Sequence, residues 1–276
     1  MKPIIPLQTL PDSTRAYAET VAHLTGPDAW DSLKKNDRDA YDALIAQLQK
    51  HHRGICGYCE IGLVAPRRKP KQHQRDIPDR EVEHFHPKSR EEDGRRWVFE
   101  PGNLFLTCRN TSNSHLDDPH RVDPPSSCGT FKKDRNPDDI DEAKRPLRPS
   151  DLPHRQRVFT VDQENGALSA WDCGCAIAGL AKARVEATIA FLNLDCRRLR
   201  RARAIMLSTL DDEFSSYLQQ YPDDDSLARR TMAEDLLLCR DGGDLPEFFT
   251  TLREYLQPEA EDVLAENLEG WLMPVG

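Results

Sequence analysis

The sequence predicts an α+β chain: a metal-bracketed module of short strands and a β-hairpin, flanked by helices that lie mainly toward the C-terminus. Three observations carry this. Four cysteines fall into two groups, Cys56-Gly-Tyr-Cys59 and then Cys108 with Cys128, inside a stretch poor in helix signal and rich in Pro, Gly and Asn. Apolar residues recur at helical spacing before that stretch and again from residue 177 onward. Two short β-prone runs flank an Asn-Gly turn near residue 165.

Three segments follow in order: 1–53, 54–140 and 141–276. In the first, residues 12–24 and 28–52 are predicted helical, with Asp12 and Asp28 as caps and Trp30, Leu33, Tyr41, Leu44, Ile45 and Leu48 as the apolar stripe. In the second, zinc can supply folding energy that a small strand module lacks. Residues 66–80 and 109–127 are expected as inserted loops, and 135–155, with Pro137, Pro146, Pro149 and Pro153, as a linker. In the third, Arg157–Val161 and Ala167–Trp171 form the hairpin. Helices are expected over 177–194, 196–220, 226–240, 244–256 and 258–272, punctuated by Pro222, Gly242-Gly243 and Pro258. No internal repeat is found.

The 276 residues are 38% hydrophobic and 31% charged, which suits a globular chain with long polar connections. No run approaches the roughly 20 apolar residues of a membrane span. Prolines 3 and 6 interrupt the apolar run that a signal peptide needs, so a cytoplasmic protein is expected. Eight cysteines in a reducing compartment point to metal rather than disulfides. The net charge of -9 hides an asymmetry: residues 211–276 carry 17 acidic and 4 basic side chains, which leaves the first 210 residues net positive. Two basic runs, Arg67–Lys71 with Arg75 and Arg197–Arg203, could hold phosphates or be solvated faces.

Four thiolates close a tetrahedral zinc site and leave the ion no open position, so Cys56, Cys59, Cys108 and Cys128 are read as structural ligands. Nineteen residues separate the second pair, so an inserted loop must return the chain to the metal. Cys173-Gly-Cys175 is a rival pair, read as structural or incidental. Between the half-sites lies Glu83-His84-Phe85-His86-Pro87, followed by Asn103-Leu104. An imidazole is an ordinary base near neutral pH, and a carboxylate beside it can bind a divalent ion or orient a ring. Alternation along an extended strand puts His84 and His86 on one face. Lys132 and Lys133 are phosphate contacts or a solvent-exposed basic turn, and Lys88 joins them as a nucleic-acid contact.

These positions together resemble the HNH nucleases, whose ββα-metal unit has a zinc-bracketed form. A closer resemblance is to the PtuB-like branch, the nuclease partner in Septu and certain retron anti-phage systems. It rests on Glu83-His-Phe-His-Pro-Lys-Ser89 with Trp97 and Asn103–Cys108, on Cys128-Gly-Thr-Phe-Lys132, and on Thr188–Asp195 with Leu199 and Arg203. The resemblance covers roughly residues 50–205. It implies that His84 activates the attacking water, that Glu83 binds a catalytic Mg²⁺ or Mn²⁺, and that Asn103 orders the loop carrying His84. His86 would support the site or contact a phosphate. It also implies an ABC-type ATPase partner (PtuA); the chain holds no Walker motif, and its acidic C-terminal or its N-terminal helices would dock. One departure is Gly129, where many members have a metal-binding His or Asn. Asn110, Asn113, His115 and Asp134 are the replacements to consider. A zinc-stabilised nucleic-acid-binding or adaptor protein with a degenerate nuclease centre is the competing reading.

Overall fold

The computed structural model describes residues 1–63, 80–92, 95–109, 126–238 and 243–274. Three helices open the chain: α1 (Asp12–Thr20), α2 (Gly26–Asn36) and α3 (Arg38–His52). The single helix expected over 28–52 is therefore two. Asp37 leaves the helical region, and its side chain accepts from the Ala40 amide at 3.0 Å, so it caps α3. The expected caps also move. Thr25 caps α2 and Asp28 lies in its first turn, while Asp12 is the first residue of α1 with Pro11 before it. The apolar stripe survives the break, with Trp30, Leu33, Tyr41, Leu44 and Leu48 buried together.

β1 (Arg80–His84) and β4 (Leu104–Cys108) form an antiparallel pair with Glu83 opposite Phe105 and His84 opposite Leu104. Between them, β2 (Glu91–Glu92) and β3 (Arg95–Arg96) make a small hairpin. The short helix α4 (Cys128–Lys132) follows and packs on the β1–β4 pair. The predicted hairpin is β5 (Phe159–Val161) with β6 (Leu168–Ala170), closed by Asp162, whose carboxylate accepts from the Glu164 amide at 2.8 Å.

The helical part runs α5 (Asp172–Ile177), α6 (Lys182–Leu192), α7 (Arg197–Gln220), α8 (Asp225–Leu237), α9 (Phe249–Tyr255), α10 (Glu259–Glu266) and α11 (Leu268–Trp271). The helix expected over 177–194 begins at Lys182, because the chain turns at Gly179 after α5. The one expected over 244–256 begins at Phe249, because the preceding residues are spent on α3: the Leu245 amide donates to the Arg53 carbonyl at 2.7 Å. Asn267 divides the last predicted helix into two. No helix among the described residues is long and apolar enough to cross a membrane.

One apolar cluster joins α2 and α3 with Tyr58, Phe85, Phe105 and Leu106, and with Phe191, Leu192 and Leu199 of α6 and α7. The strand segment is thus packed on both helical regions as well as held by its cysteines. A second cluster gathers α8 to α11 around Met232, Leu252, Val263 and Trp271, with Ile55 and Leu210 from outside.

Arg53 links the two. It ends α3 in the left-handed region (φ 53°), and its buried guanidinium donates to the carbonyls of Gly243, Glu269, Gly270 and Met273 at 3.1–3.3 Å. Three of these belong to the C-terminal end of α11, where a cation also meets the negative end of the helix dipole. Arg53→Met keeps the length and loses all four bonds. It is expected to cost about 3 kcal/mol, since buried carbonyls are left without donors. Thermal unfolding should then shift down by roughly 6–12 °C.

Candidate active site

The first cysteine pair sits in a tight turn after α3. The Cys56 amide donates to the Ile61 carbonyl at 2.8 Å, and the Gly57 amide reaches the Leu106 carbonyl of β4 at 3.0 Å. This places Cys56 and Cys59 beside Cys108, the last residue of β4. The long connection does return to them: Cys128, the first residue of α4, brings its sulfur to 3.9 Å from those of Cys56 and Cys108. Cys59 and Cys108 are 3.6 Å apart, and all four sulfurs lie within 4.8 Å of one another. Four thiolates at about 2.3 Å from a tetrahedral zinc ion are separated by about 3.8 Å. The buried set therefore fits a metal such as zinc. Cys173 and Cys175 lie on α5, apart from the cluster, with Cys173 exposed; Cys239 lies outside the described residues.

What holds Cys128 in place comes from α6 and α7. The Asn193 side-chain Nδ2 donates to the Ser126 carbonyl at 2.8 Å, and buried Arg198 donates to the Ser127 hydroxyl at 2.6 Å. Burial alone would depress the Arg198 pKa, but the neighbouring thiols outweigh it and hold it above its ordinary value. A guanidinium here opposes the net charge of four thiolates around a divalent ion. The basic run 197–203 is thereby divided. Arg198 and Arg203 are buried, Arg203 donating to the Gly166 and Leu194 carbonyls, and Arg200 pairs with Asp195. The other basic run, 67–75, lies outside the described residues.

Glu83 and His84 end β1, next to the cluster. Glu83 turns toward α4, where its Oε1 lies 2.9 Å from the Lys132 ammonium. Burial raises the Glu83 pKa to about 7, against the pull of Lys132. His84 packs edge-on against Trp30 of α2 at 4.5 Å, and its Nε2 lies 3.0 Å from the Val98 carbonyl. A carbonyl only accepts, so the ring proton is on Nε2 and the Nδ1 lone pair is available as a base. Burial lowers the His84 pKa to about 3, which keeps the ring neutral. Lys88 and Lys132 lie within electrostatic reach of both Glu83 and His84.

Asn103 is a staple. Its Oδ1 accepts from the His86 amide at 2.7 Å, and its Nδ2 donates to the carbonyls of His86 and Trp97, both at 2.9 Å. Those three bonds tie the loop after β1 to the residues before β4. Asn103→Asp removes two donors and sets a carboxylate against two carbonyl oxygens. It is expected to cost roughly 3 kcal/mol in thermal or urea unfolding while thiol-bound metal stays at the wild-type ratio.

The remaining predicted residues take separate places. The strand alternation expected to align His84 with His86 stops at His84. His86 lies beyond β1, stacks on Trp97 at 4.1 Å and sets its Nδ1 3.0 Å from Asp138. Lys132, expected at a phosphate or in a solvent-exposed turn, is buried against Glu83. Lys133 is exposed, and its carbonyl accepts from the Lys132 ammonium at 2.9 Å. Lys88 is half-buried in the loop after His86, a loop seated on α2 where a Cβ at Gly26 would overlap the Lys88 carbonyl. Of the candidates to stand in for Gly129, Asp134 is exposed past the end of α4, and Asn110, Asn113 and His115 lie outside the described residues.

The motif reading missed Trp30, Val98 and Arg198. No sequence signal marks a carbonyl that fixes a tautomer, and none singles out Trp30 or Arg198, since Tyr41 shares the stripe with Trp30 and Arg203 is buried like Arg198. The assembled site sets a buried four-thiol cluster that could hold a metal beside an imidazole, a half-buried carboxylate and an ammonium group. Over 191 residues the chain is 29% identical to an Escherichia coli protein described as "Retron Ec83 putative HNH endonuclease", covering 64% of this chain and 70% of that protein. No family model and no solved structure matches the chain.

Proposed function

We propose that this chain is an HNH-type endonuclease that hydrolyses phosphodiester bonds, DNA before RNA, as the effector of an anti-phage defence system. The observation that carries the reading is the His84 ring, its Nε2 proton directed to the Val98 carbonyl and its Nδ1 without a hydrogen bond among the described residues, next to a Glu83 carboxylate that can take a cation. The similarity to a retron-encoded protein named as an HNH endonuclease supports the same reading.

In this reading the thiol cluster holds zinc and takes no part in the reaction. His84 Nδ1 accepts a proton from water as the water oxygen attacks phosphorus, the bond to the 3′-oxygen breaks, and that oxygen takes a proton from solvent, leaving a 5′-phosphate and a 3′-hydroxyl. Glu83 is the residue that would hold Mg²⁺ or Mn²⁺, which supplies positive charge for the phosphate and the departing oxygen. Asn103 keeps the loop beyond β1 in register. Lys88 and Lys133 contact the nucleic-acid backbone, while Lys132 serves the site from within, against Glu83.

An ATPase of the PtuA kind is the proposed partner, docked on the acidic surface of residues 211–276. The N-terminal helices, the other candidate, are packed into the apolar cluster through Trp30 and Leu44. The purified zinc-loaded chain, alone and with that ATPase, should nick plasmid DNA with Mg²⁺ or Mn²⁺ and stop when the divalent ion is chelated by EDTA. Binding of plasmid and of tRNA without cleavage of either, under all these conditions, would favour the adaptor reading instead.

A further inference from the structure

The two carboxylate oxygens of Glu83 have different surroundings. Oε1 lies 2.9 Å from the ammonium of Lys132, which is buried and donates at 2.9 Å to the Lys133 carbonyl. Oε2 lies over Gly129 in the first turn of α4, where a Cβ would stand 2.5 Å from Oε2, 2.8 Å from Cδ and 3.3 Å from Cγ. Gly129 does not have a positive φ, so its backbone does not call for glycine. The three atoms nearest to that position all belong to Glu83. Among the described residues neither oxygen accepts a hydrogen bond, and only Oε1 has the Lys132 ion pair.

We propose that Gly129 is a positioning residue: its missing side chain forms the seat of the Glu83 carboxylate, with Lys132 clamping Oε1 and Oε2 left to take a divalent cation. The inference rests on the hydrolytic reading of the site and assigns cation binding to one oxygen of one residue. A methyl group at 129 needs at least about 3.5 Å from its neighbours, so the carboxylate has to swing by about 1 Å. The carboxylate is the free end of a flexible side chain, so the fold can give way there. The site cannot, because an offset of that size is enough to cost about 10²-fold in rate.

The test compares wild type, Gly129→Ala, Glu83→Asp/Gly129→Ala and Glu83→Ala/Gly129→Ala, measuring Mn²⁺ affinity by calorimetry, zinc content, thermal unfolding and plasmid cleavage. Gly129→Ala should keep its zinc, bind Mn²⁺ at least about 10-fold more weakly and cleave about 10²-fold more slowly. Aspartate, shorter by one methylene, should recover much of the lost Mn²⁺ affinity in the double variant. Wild-type Mn²⁺ affinity in Gly129→Ala, or no recovery in the aspartate variant, overturns the proposal. Should Gly129→Ala lose its fold, refolding of Glu83→Ala/Gly129→Ala places the clash at Glu83 and supports it, whereas persistent unfolding overturns it. Failure of the hydrolytic reading shows itself separately, as wild type that neither binds Mn²⁺ nor cleaves, and the proposal falls with it.

Discussion

Substituting His84 is expected to lower cleavage by about 10²–10⁴-fold, the range that a positioned general base contributes. Alanine is the blunter variant. It leaves the Val98 carbonyl without its donor and opens a space against Trp30, and so is expected to cost about 2 kcal/mol besides the activity. Glutamine separates the two effects. Its amide N–H can still reach Val98, but its oxygen is no base, so stability should recover toward wild type while cleavage stays lost. Single-turnover cleavage together with thermal unfolding decides this. A glutamine variant that cleaves at the wild-type rate removes His84 from the reaction.

Loss of the thiol-bound metal should have the larger effect on structure. A structural zinc site contributes about 10–16 kcal/mol in small zinc-dependent folds, comparable with the whole stability of an ordinary domain. Cys128→Ser is expected to release zinc and open the strand segment, because α4 and the end of β4 then lose their common anchor. The helices around Trp271 have their own apolar cluster and should keep most of their helical signal. Metal analysis, circular dichroism and limited proteolysis read the three consequences. A zinc-free Cys128→Ser protein with wild-type unfolding temperature and protease resistance would refute the role given to the cluster.

Much of this was legible in the residues, and the reasons are physical. The cysteine set was readable because thiols in a chain of this kind have few other uses, and the hairpin because Asn165-Gly166 at the end of a turn between β-prone runs is a strong local signal. Helix boundaries were less so. Asp37 reads as one more polar residue on a stripe until its side chain is seen to cap a new helix. The role of Arg53 was hidden because its four acceptors are carbonyls 190 to 220 residues further on, and carbonyls leave no trace in a sequence. Lys132 was visible as a basic residue after the last cysteine, but its burial against Glu83 depends on the pairing of β1 with β4 and on α4 folding back over them. Gly129 looked like a missing ligand. In the structure it is room for the Glu83 carboxylate of β1.

On the proposed function the thiol cluster and the Glu83–His84 pair are separate sites, one for zinc and one for a catalytic divalent ion. Anomalous diffraction from crystals soaked in Mn²⁺, collected at the zinc and manganese edges, tests it most directly. A zinc peak is expected among the sulfurs of Cys56, Cys59, Cys108 and Cys128, and a manganese peak bonded to Glu83 Oε2. Manganese absent from Glu83, or a zinc edge with no peak among the four sulfurs, would contradict it.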